Sequence, residues 1–167
     1  MSEDQATAFD DRLVAITEGE WAGWSTWLTD AFEQSSGPFY ERTMPDGRRV
    51  CAFHAEPRHM NGGGFMHGGC LLTFADSALF TIAQPALAGH HGVTVTLSGD
   101  VLDSARPGEL IEASGEITRA GHKTVFVRGI ATADGRPVLS FTGIIKKMGA
   151  RGEAARPKIF TSQRGPS

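Results

Sequence analysis

The chain has 167 residues, of which 40% are hydrophobic and 21% charged, and its net charge is −3 at pH 7. This length suits one domain of ordinary size, and the composition is that of a globular protein, not a disordered or fibrous one. The slight negative charge argues against non-specific binding to nucleic acid. No uninterrupted apolar run reaches the about 18–20 residues that cross a bilayer, so no association with a membrane is expected.

The cysteines and the first residues point to a cytoplasmic location. Two cysteines, Cys51 and Cys70, are too few for a disulfide framework. The opening sequence, MSEDQATAFDDR, is acidic and lacks the basic region of a signal peptide. A reducing compartment is therefore the expected one.

Residues 1–34 are predicted to form an N-terminal extension, in which residues 9–16 could form a short helix. A longer amphipathic helix is predicted from four apolar side chains at spacings of three and four, which are Trp21, Trp24, Leu28 and Phe32. The main domain would follow over residues 35–148. Residues 149–167, which carry Gly, Pro and basic side chains, would form a flexible tail.

The main domain begins with a predicted β-hairpin. Phe39 to Thr43 and Arg49 to Ala55 flank the turn sequence Pro45-Asp46-Gly47. A glycine-rich loop follows, and then a very apolar helix from about Gly68 to Ala83, which Pro85 is expected to end.

After this helix the hydrophobic period becomes two. Val93, Val95 and Leu97 alternate with polar residues and predict a strand. Three further strands are predicted at Leu110 to Thr118, Thr124 to Ala133 and Pro137 to Lys147, and all four strands after the helix are expected to form a meander. A helix that is apolar nearly all round must be buried on most sides. The predicted fold is therefore α+β: a single antiparallel β-sheet wrapped around one long central helix, with an extra N-terminal helix.

Residues 61–76, NGGGFMHGGCLLTFAD, carry the features of a reactive site. Gly68 and Gly69 lie where the helix should begin, and the first N–H groups of a helix have no intrahelical partner. Together with the helix dipole, these groups suit an oxyanion or a polarised carbonyl oxygen. Asp76 lies inside the apolar helix, where an ionised carboxylate is costly unless it is hydrogen-bonded.

The sequence resembles the hotdog-fold acyl-CoA thioesterases, in particular the phenylacetate-pathway type within the 4-hydroxybenzoyl-CoA thioesterase-like superfamily. The resemblance covers about residues 35–148 and is carried by Asn61, Gly64, His67-Gly68-Gly69 and Asp76. It implies a hotdog fold and hydrolysis of an acyl-CoA thioester, with an aryl-acyl or a short- to medium-chain acyl group, to the free acid and CoA. Coenzyme A is then part of the substrate, and no cofactor is implied.

The resemblance also implies roles for the residues of the pattern. Asn61 and the backbone N–H of Gly68 would contact the thioester oxygen. Asp76 would act either as a general base that activates water or as a nucleophile, and the sequence leaves both roles open. Thr94 would orient the water, and His67 would support the site from beside the helix start.

The remaining candidate residues would bind other parts of the substrate. Gly69 belongs to the helix start that faces the thioester. Arg119, His122 and Lys123 lie near one turn, close to the pair Lys146-Lys147, and are candidate partners for the phosphates of CoA. An apolar acyl pocket could be lined by Phe65, Met66, Phe74 and Phe80.

The spacing of the pattern predicts that two chains share each site. Gly68 and Asp76 are eight positions apart on one helix, or roughly 12 Å at about 1.5 Å per residue. One carbonyl carbon cannot lie within about 3–3.5 Å of groups tied to both places. We therefore expect a homodimer in which Asn61 and Gly68 come from one chain and Asp76 and Thr94 from the other. The resemblance implies further assembly to a tetramer.

Two other functions remain open, and a metal site is not expected. A hotdog protein can bind acyl-CoA without hydrolysing it, since a fold does not fix a function. A hotdog dehydratase or hydratase is the other alternative, although the pattern from Asn61 to Asp76 does not suggest it. No histidine pair at the i, i+4 spacing lies on the predicted helices, and there is no Cys-x-x-Cys motif that would indicate a metal.

Overall fold

The computed structural model describes residues 13–150. The elements in chain order are β1 (Leu13–Ala15), β2 (Ser25–Trp27), α1 (Ala31–Ser36), β3 (Tyr40–Thr43), β4 (Arg49–His54), α2 (Gly68–Leu87), β5 (His90–Val101), β6 (Leu110–Ala120), β7 (Thr124–Ala133) and β8 (Arg136–Ala150). A 3₁₀ turn over Pro57–His59 precedes the loop that leads to α2. The strands form one sheet in the order β1-β2-β3-β4-β6-β7-β8-β5, and every neighbouring pair is antiparallel.

The core lies between α2 and the concave face of this sheet. The side of α2 that faces the sheet carries fully buried apolar side chains, namely Leu71, Phe74, Ala75, Ala78 and Leu79. They meet buried side chains of β4 and β6 to β8, namely Phe53, Ile111, Val125, Leu139, Phe141 and Ile145. Each large apolar side chain buried in this way contributes about 1.5–3 kcal/mol. The predicted α+β fold, an antiparallel sheet wrapped around one long helix, is confirmed.

Helix α2 is also long and apolar enough to meet the length and hydropathy criteria for a membrane span. It has 20 residues and a mean hydropathy of 1.3 over the most apolar window, half of which is buried inside the protein. The core helix of a protein without membrane spans meets the same criteria. The position of α2 against five strands of the sheet accounts for its composition.

The predicted end of α2 at Pro85 is wrong, because the helix continues to Leu87. A proline inside a helix removes one N–H donor and crowds the preceding turn, but Pro85 does not end α2, which runs two residues beyond it. Termination comes instead from the next residues. Ala88 and Gly89 adopt left-handed backbone conformations, with φ of 49° and 79°, and such a conformation commonly ends a helix.

The predicted hairpin is confirmed. The predicted four-strand meander is confirmed for β6, β7 and β8, which are consecutive neighbours, but it is wrong for β5, which pairs with β8 and not with β6. Strands β3 and β4 pair across the turn that contains Gly47. Strands β7 and β8 are joined by Asp134 and Gly135, whose φ angles of 47° and 82° suit a tight two-residue hairpin turn. Among the described strands, β5 pairs with β8 on one side only, so it is the strand at one edge of the sheet.

The long N-terminal helix predicted from the tryptophan spacing is wrong. Two parts of residues 13–36, Leu13–Ala15 and Ser25–Trp27, are strands that extend the sheet beyond β3. The helical part of this segment is Ala31–Ser36. Packing overrides the helical period here, because Trp21 stacks on Tyr40 of β3 with ring centroids 4.1 Å apart. The helix suggested for residues 9–16 is likewise replaced by β1 where it is described. The rest of that segment, and the tail beyond residue 150, lie outside the described residues.

Candidate active site

The loop before α2 presents the side-chain amide of Asn61 to solvent. The Asn61 Oδ1 atom accepts hydrogen bonds from the backbone N–H groups of Gly63 (2.8 Å) and Phe65 (3.3 Å). Gly64 adopts φ of 79°, a conformation that favours glycine, and it lets the loop close on itself. Because Oδ1 is held by the loop, the Nδ2 amide is left as a donor, and it has no hydrogen-bond partner among residues 13–150.

His67 is the N-cap of α2. Its Nδ1 atom accepts a hydrogen bond from the N–H of Gly69 at 2.9 Å, so that N–H is already paired within the protein. The N–H of Gly68 is the first of the helix and has no intrahelical acceptor. We call Asn61, His67 and Gly68 the donor half of the site. In the donor half, the N–H of Gly69 donates to the capping His67 side chain, and the N–H of Gly68 is left as a donor for a ligand.

Asp76 and Thr94 meet in one protomer. The Thr94 hydroxyl donates a hydrogen bond to Asp76 Oδ1 at 2.7 Å, and both side chains are partly buried. Asp76 lies on α2 and Thr94 on β5, so the bond joins the central helix to the edge strand. We call this pair the base half of the site. Its carboxylate oxygen Oδ2 accepts no hydrogen bond from residues 13–150.

A bulge in β5 accompanies the placement of Thr94. Thr94 pairs with Ile145 of β8 and Thr96 with Ile144, so Val95 is an extra residue in the strand. Bulges of this kind redirect side chains and are common beside active sites. As a result Thr94 bonds to Asp76, whereas Val93 and Val95 point outward and are 45% and 58% exposed.

The two halves of the site lie apart in one chain. The donor half is at the first residue of α2, and Asp76 is eight residues further along the same helix. This corresponds to roughly 12 Å along the helix axis. A single protomer therefore does not bring both halves to one carbonyl group, and the sharing of sites between two chains stays a prediction.

The basic candidates lie at one end of the sheet. Arg119, His122 and Lys123 are exposed at and beside the turn between β6 and β7. Lys146 of β8 pairs with Val93 of β5, next to Thr94. The candidate phosphate ligands are thus near the end of β5 that carries the base half.

A cavity of ≈ 670 Å³ adjoins Asp76 and lies between α2, α1 and residues of β2, β3 and β5. Trp27 and Glu33 line it from the N-terminal segment, and Phe80 lines it from α2. Sequence reasoning missed Trp27 and Glu33 as site residues. Only the tryptophan-rich composition hinted that this segment could cover a pocket.

Only part of the predicted apolar pocket is found at this cavity. Phe80 lines it, but Met66 and Phe74 are buried in the main core. Phe74 faces the sheet, where its ring lies 4.8 Å from that of Phe53, so it cannot also face the cavity. Phe65 is 42% exposed in the loop before α2.

Neither cysteine competes with Asp76 as a nucleophile. Burial raises the pKa of the Cys51 thiol far above its usual range, and burial also raises the pKa of Cys70. Both are therefore held as thiols, which are weak nucleophiles. Within residues 13–150, no group of three or more His, Cys, Asp or Glu side chains is arranged to hold a metal ion.

An antiparallel sheet wrapped around one long helix is the architecture of the hotdog fold. Residues 63–140 match the model of the thioesterase superfamily. A Pseudomonas aeruginosa protein, provisionally named an esterase, is 31% identical over 109 residues, which are 65% of this chain and 81% of the relative. The chain belongs to the thioesterase superfamily, and the predicted resemblance is confirmed at the level of this superfamily.

Solved structures agree with this assignment. A protein from Streptococcus pneumoniae, described as a hypothetical thioesterase and crystallised with coenzyme A, is 25% identical, with a TM-score of 0.60 over 68% of this chain and 88% of that chain. The E. coli PaaI protein from the phenylacetic acid degradation operon is 21% identical, with a TM-score of 0.64 over 74% of this chain and 88% of that chain. The second likeness is one of fold alone.

Proposed function

We propose that the protein hydrolyses acyl-CoA thioesters to the free acid and CoA. The observation that carries this proposal is the bond from Thr94 to Asp76, because it engages one carboxylate oxygen and leaves the other to work on water. The superfamily membership supplies the thioester chemistry. The relative crystallised with coenzyme A supports CoA as the acyl carrier.

In the proposed mechanism, Asn61 Nδ2 and the Gly68 N–H donate hydrogen bonds to the thioester oxygen and stabilise the negative charge that develops there. Asp76 accepts a proton from the attacking water, or attacks the carbonyl carbon itself and expels the CoA thiolate to form a transient anhydride, which water then hydrolyses to the free acid and the Asp76 carboxylate. In the first route, collapse of the tetrahedral intermediate expels the CoA thiolate. The thiolate takes up the proton that Asp76 holds.

The separation of the two halves supports a shared site. In the proposed homodimer, Asn61 and Gly68 of one chain act with Asp76 and Thr94 of the other. Strand β5 is the natural contact, because it is an unpaired sheet edge whose outward valines, Val93 and Val95, are exposed. Further assembly to a tetramer and a cytoplasmic location belong to the same proposal.

The basic end of the sheet is proposed to bind the CoA phosphates. Arg119, His122 and Lys123 are exposed, and they lie near the end of β5 that carries Thr94. Exposed Arg and Lys side chains bind phosphate through charge-assisted hydrogen bonds. In the proposed complex, the nucleotide part of CoA lies on this end and the thioester at Asp76.

The test is thiol release from a panel of aryl- and alkyl-acyl-CoA esters, measured for the wild type and for Asp76→Asn. We expect the substitution to lower turnover by about 10²–10⁴, the range for losing a general base. Asp46→Asn is the matched control, because Asp46 pairs only with exposed Arg48 in the β3–β4 turn. Turnover by Asp76→Asn within about threefold of the wild type would overturn the proposed role.

The alternatives have distinct outcomes in the same assay. Binding of the esters by a folded protein without thiol release would favour a non-hydrolytic acyl-CoA-binding protein. A change in the enoyl chromophore without thiol release would favour a dehydratase or hydratase.

A further inference from the structure

The cavity beside Asp76 has a wall that comes from the N-terminal segment. Asp30 is the N-cap of helix α1, and its Oδ1 atom accepts hydrogen bonds from the N–H groups of Phe32 (3.1 Å) and Glu33 (3.0 Å). Glu33 thereby faces α2, where the Ser77 hydroxyl donates a hydrogen bond to Glu33 Oε1 at 2.6 Å. Ser77 directly follows Asp76, so the bond from Ser77 to Glu33 holds α1 next to the proposed catalytic carboxylate.

The two glutamates of this cavity differ in how their charge is balanced. Glu41 is paired with a cation, because Arg49 Nη2 donates to its Oε1 at 2.9 Å, and the Thr81 hydroxyl donates to its Oε2 at 3.0 Å. Among residues 13–150, no Lys or Arg side chain pairs with Glu33. Its only hydrogen bond through the side chain comes from Ser77, and its Oε2 atom accepts none from residues 13–150.

The charge on Glu33 is therefore costly in the unliganded protein. Burial raises the pKa of its carboxyl, the Ser77 bond opposes the rise, and the charges of Asp30, Glu41 and Asp76 add to it. A bound cation would relieve this cost, whereas a second anion would add to it.

The remaining lining favours the same ligand. The rings of Trp27, Phe32 and Phe80 border the cavity, and His91 is the one lining residue in the described range that can carry a positive charge. Aromatic faces beside a carboxylate are the combination that recognises an ammonium group, through cation–π attraction and ion pairing.

We propose that this cavity holds the acyl group of the substrate and that Glu33 makes it select acyl chains ending in an ammonium group over chains ending in a carboxylate. The inference rests on the proposed thioesterase function, because it assumes that the acyl group enters from the thioester at Asp76. It deepens that function by assigning the substrate class and a specificity residue.

The test uses four CoA esters of the same chain length that differ at the far end: hexanoyl, 6-hydroxyhexanoyl, 6-aminohexanoyl and adipoyl. We expect kcat/KM of the wild type to be at least about 30-fold higher for the amino ester than for the adipoyl ester, as expected of one charge contact in a partly desolvated site. Glu33→Gln should reduce this ratio by at least about tenfold, because kcat/KM should fall for the amino ester and rise for the adipoyl ester. Glutamine keeps an oxygen to accept the Ser77 bond. Glu18→Gln, an exposed residue outside the cavity, is the matched control and should leave the ratio unchanged.

Other results would overturn the inference. Hydrolysis of all four esters at similar rates, or a ratio that Glu33→Gln does not change, would remove Glu33 as the determinant. Equal rates for the hydroxy and amino esters would mean that the pocket recognises any hydrogen-bond donor and is not specific for an ammonium group. If no ester is hydrolysed, including aryl-acyl esters, the proposed function itself fails.

A second measurement does not depend on a folded variant. Free hexylamine and free hexanoate are compared as inhibitors of hexanoyl-CoA hydrolysis by the wild-type protein. We expect hexylamine to compete with the ester at lower concentration than hexanoate. Stronger inhibition by hexanoate would contradict the proposal.

Discussion

The donor half and the base half of the site are held in place by different kinds of interaction. The donor half is local: Asn61 bonds to residues two and four positions away, and His67 caps the helix two residues on. The base half is long-range, because Thr94 reaches Asp76 across 18 positions. The first half can therefore be recognised from a short motif, whereas the second requires the sheet and helix to be assembled.

After Asp76→Asn, the largest expected effect is that of a substitution in the donor half. Asn61→Asp keeps the Oδ1 acceptor that closes the loop but replaces the Nδ2 donor with an acidic oxygen. We expect kcat to fall by about 10²–10³, the usual result of losing one oxyanion donor. The measurement is thiol release at saturating ester, with thermal unfolding to check that the loop is intact. A loss smaller than about threefold would remove Asn61 from the chemistry.

The next effect tests whether the halves come from different chains. Asn61→Asp and Asp76→Asn chains, each nearly inactive, are unfolded together and refolded. If sites are shared, half of the dimers are mixed and each holds one intact site of two, so about a quarter of wild-type activity should return. The separately refolded variants are the control. Mixing that restores no activity would place both halves in one chain.

A smaller effect is expected for Thr94→Val, which removes the hydroxyl that bonds to Asp76 and preserves the shape. We expect kcat to fall by about 10- to 100-fold with KM nearly unchanged, because a hydrogen bond to a charged group contributes about 1.5–3 kcal/mol and each 1.36 kcal/mol is tenfold in rate. Thr94→Ser retains the hydroxyl and should recover most of the activity. A rise in KM alone would indicate that Thr94 contacts the substrate instead of Asp76.

The smallest expected effect is on stability, and it concerns Glu33, which lies beside the base half. Burial raises the pKa of Glu33 above its ordinary value of 4.5. Its contribution to stability is therefore present below about pH 4.5 and is lost as pH rises through the folded-state pKa. Glu33→Gln does not titrate, so its melting temperature relative to wild type should rise between pH 4.5 and pH 8. A difference that is constant with pH would contradict the buried charge.

Most of the main domain could be predicted from the sequence. The alternation over 124–133 and the Asp134-Gly135 turn are local signals, and they gave β7 its observed bounds. The apolar composition of α2 predicted that it lies inside a sheet. The end of this helix was missed, because a proline in a last turn is tolerated and the left-handed Ala88 carries no clear sequence signal.

The N-terminal segment could not be predicted in the same way. Its tryptophans have the spacing of a helix, but Trp24 packs on Val50 and Ala52 of β4, and the guanidinium of Arg42 lies 4.5 Å from the Trp24 ring. These partners lie tens of residues away, and no local pattern reveals them. For the same reason Glu33 was missed, because its bond to Ser77 spans 44 positions.

The edge position of β5 has a consequence for the behaviour of the chain in solution. A strand of 12 residues with unpaired backbone groups and outward valines can pair with any other exposed strand. The proposed pairing with a second copy would occupy this edge and so block such association. Selection for catalysis and selection against aggregation would then act on the same strand. Dilution that separates the protomers should cost the protein both its activity and its resistance to precipitation.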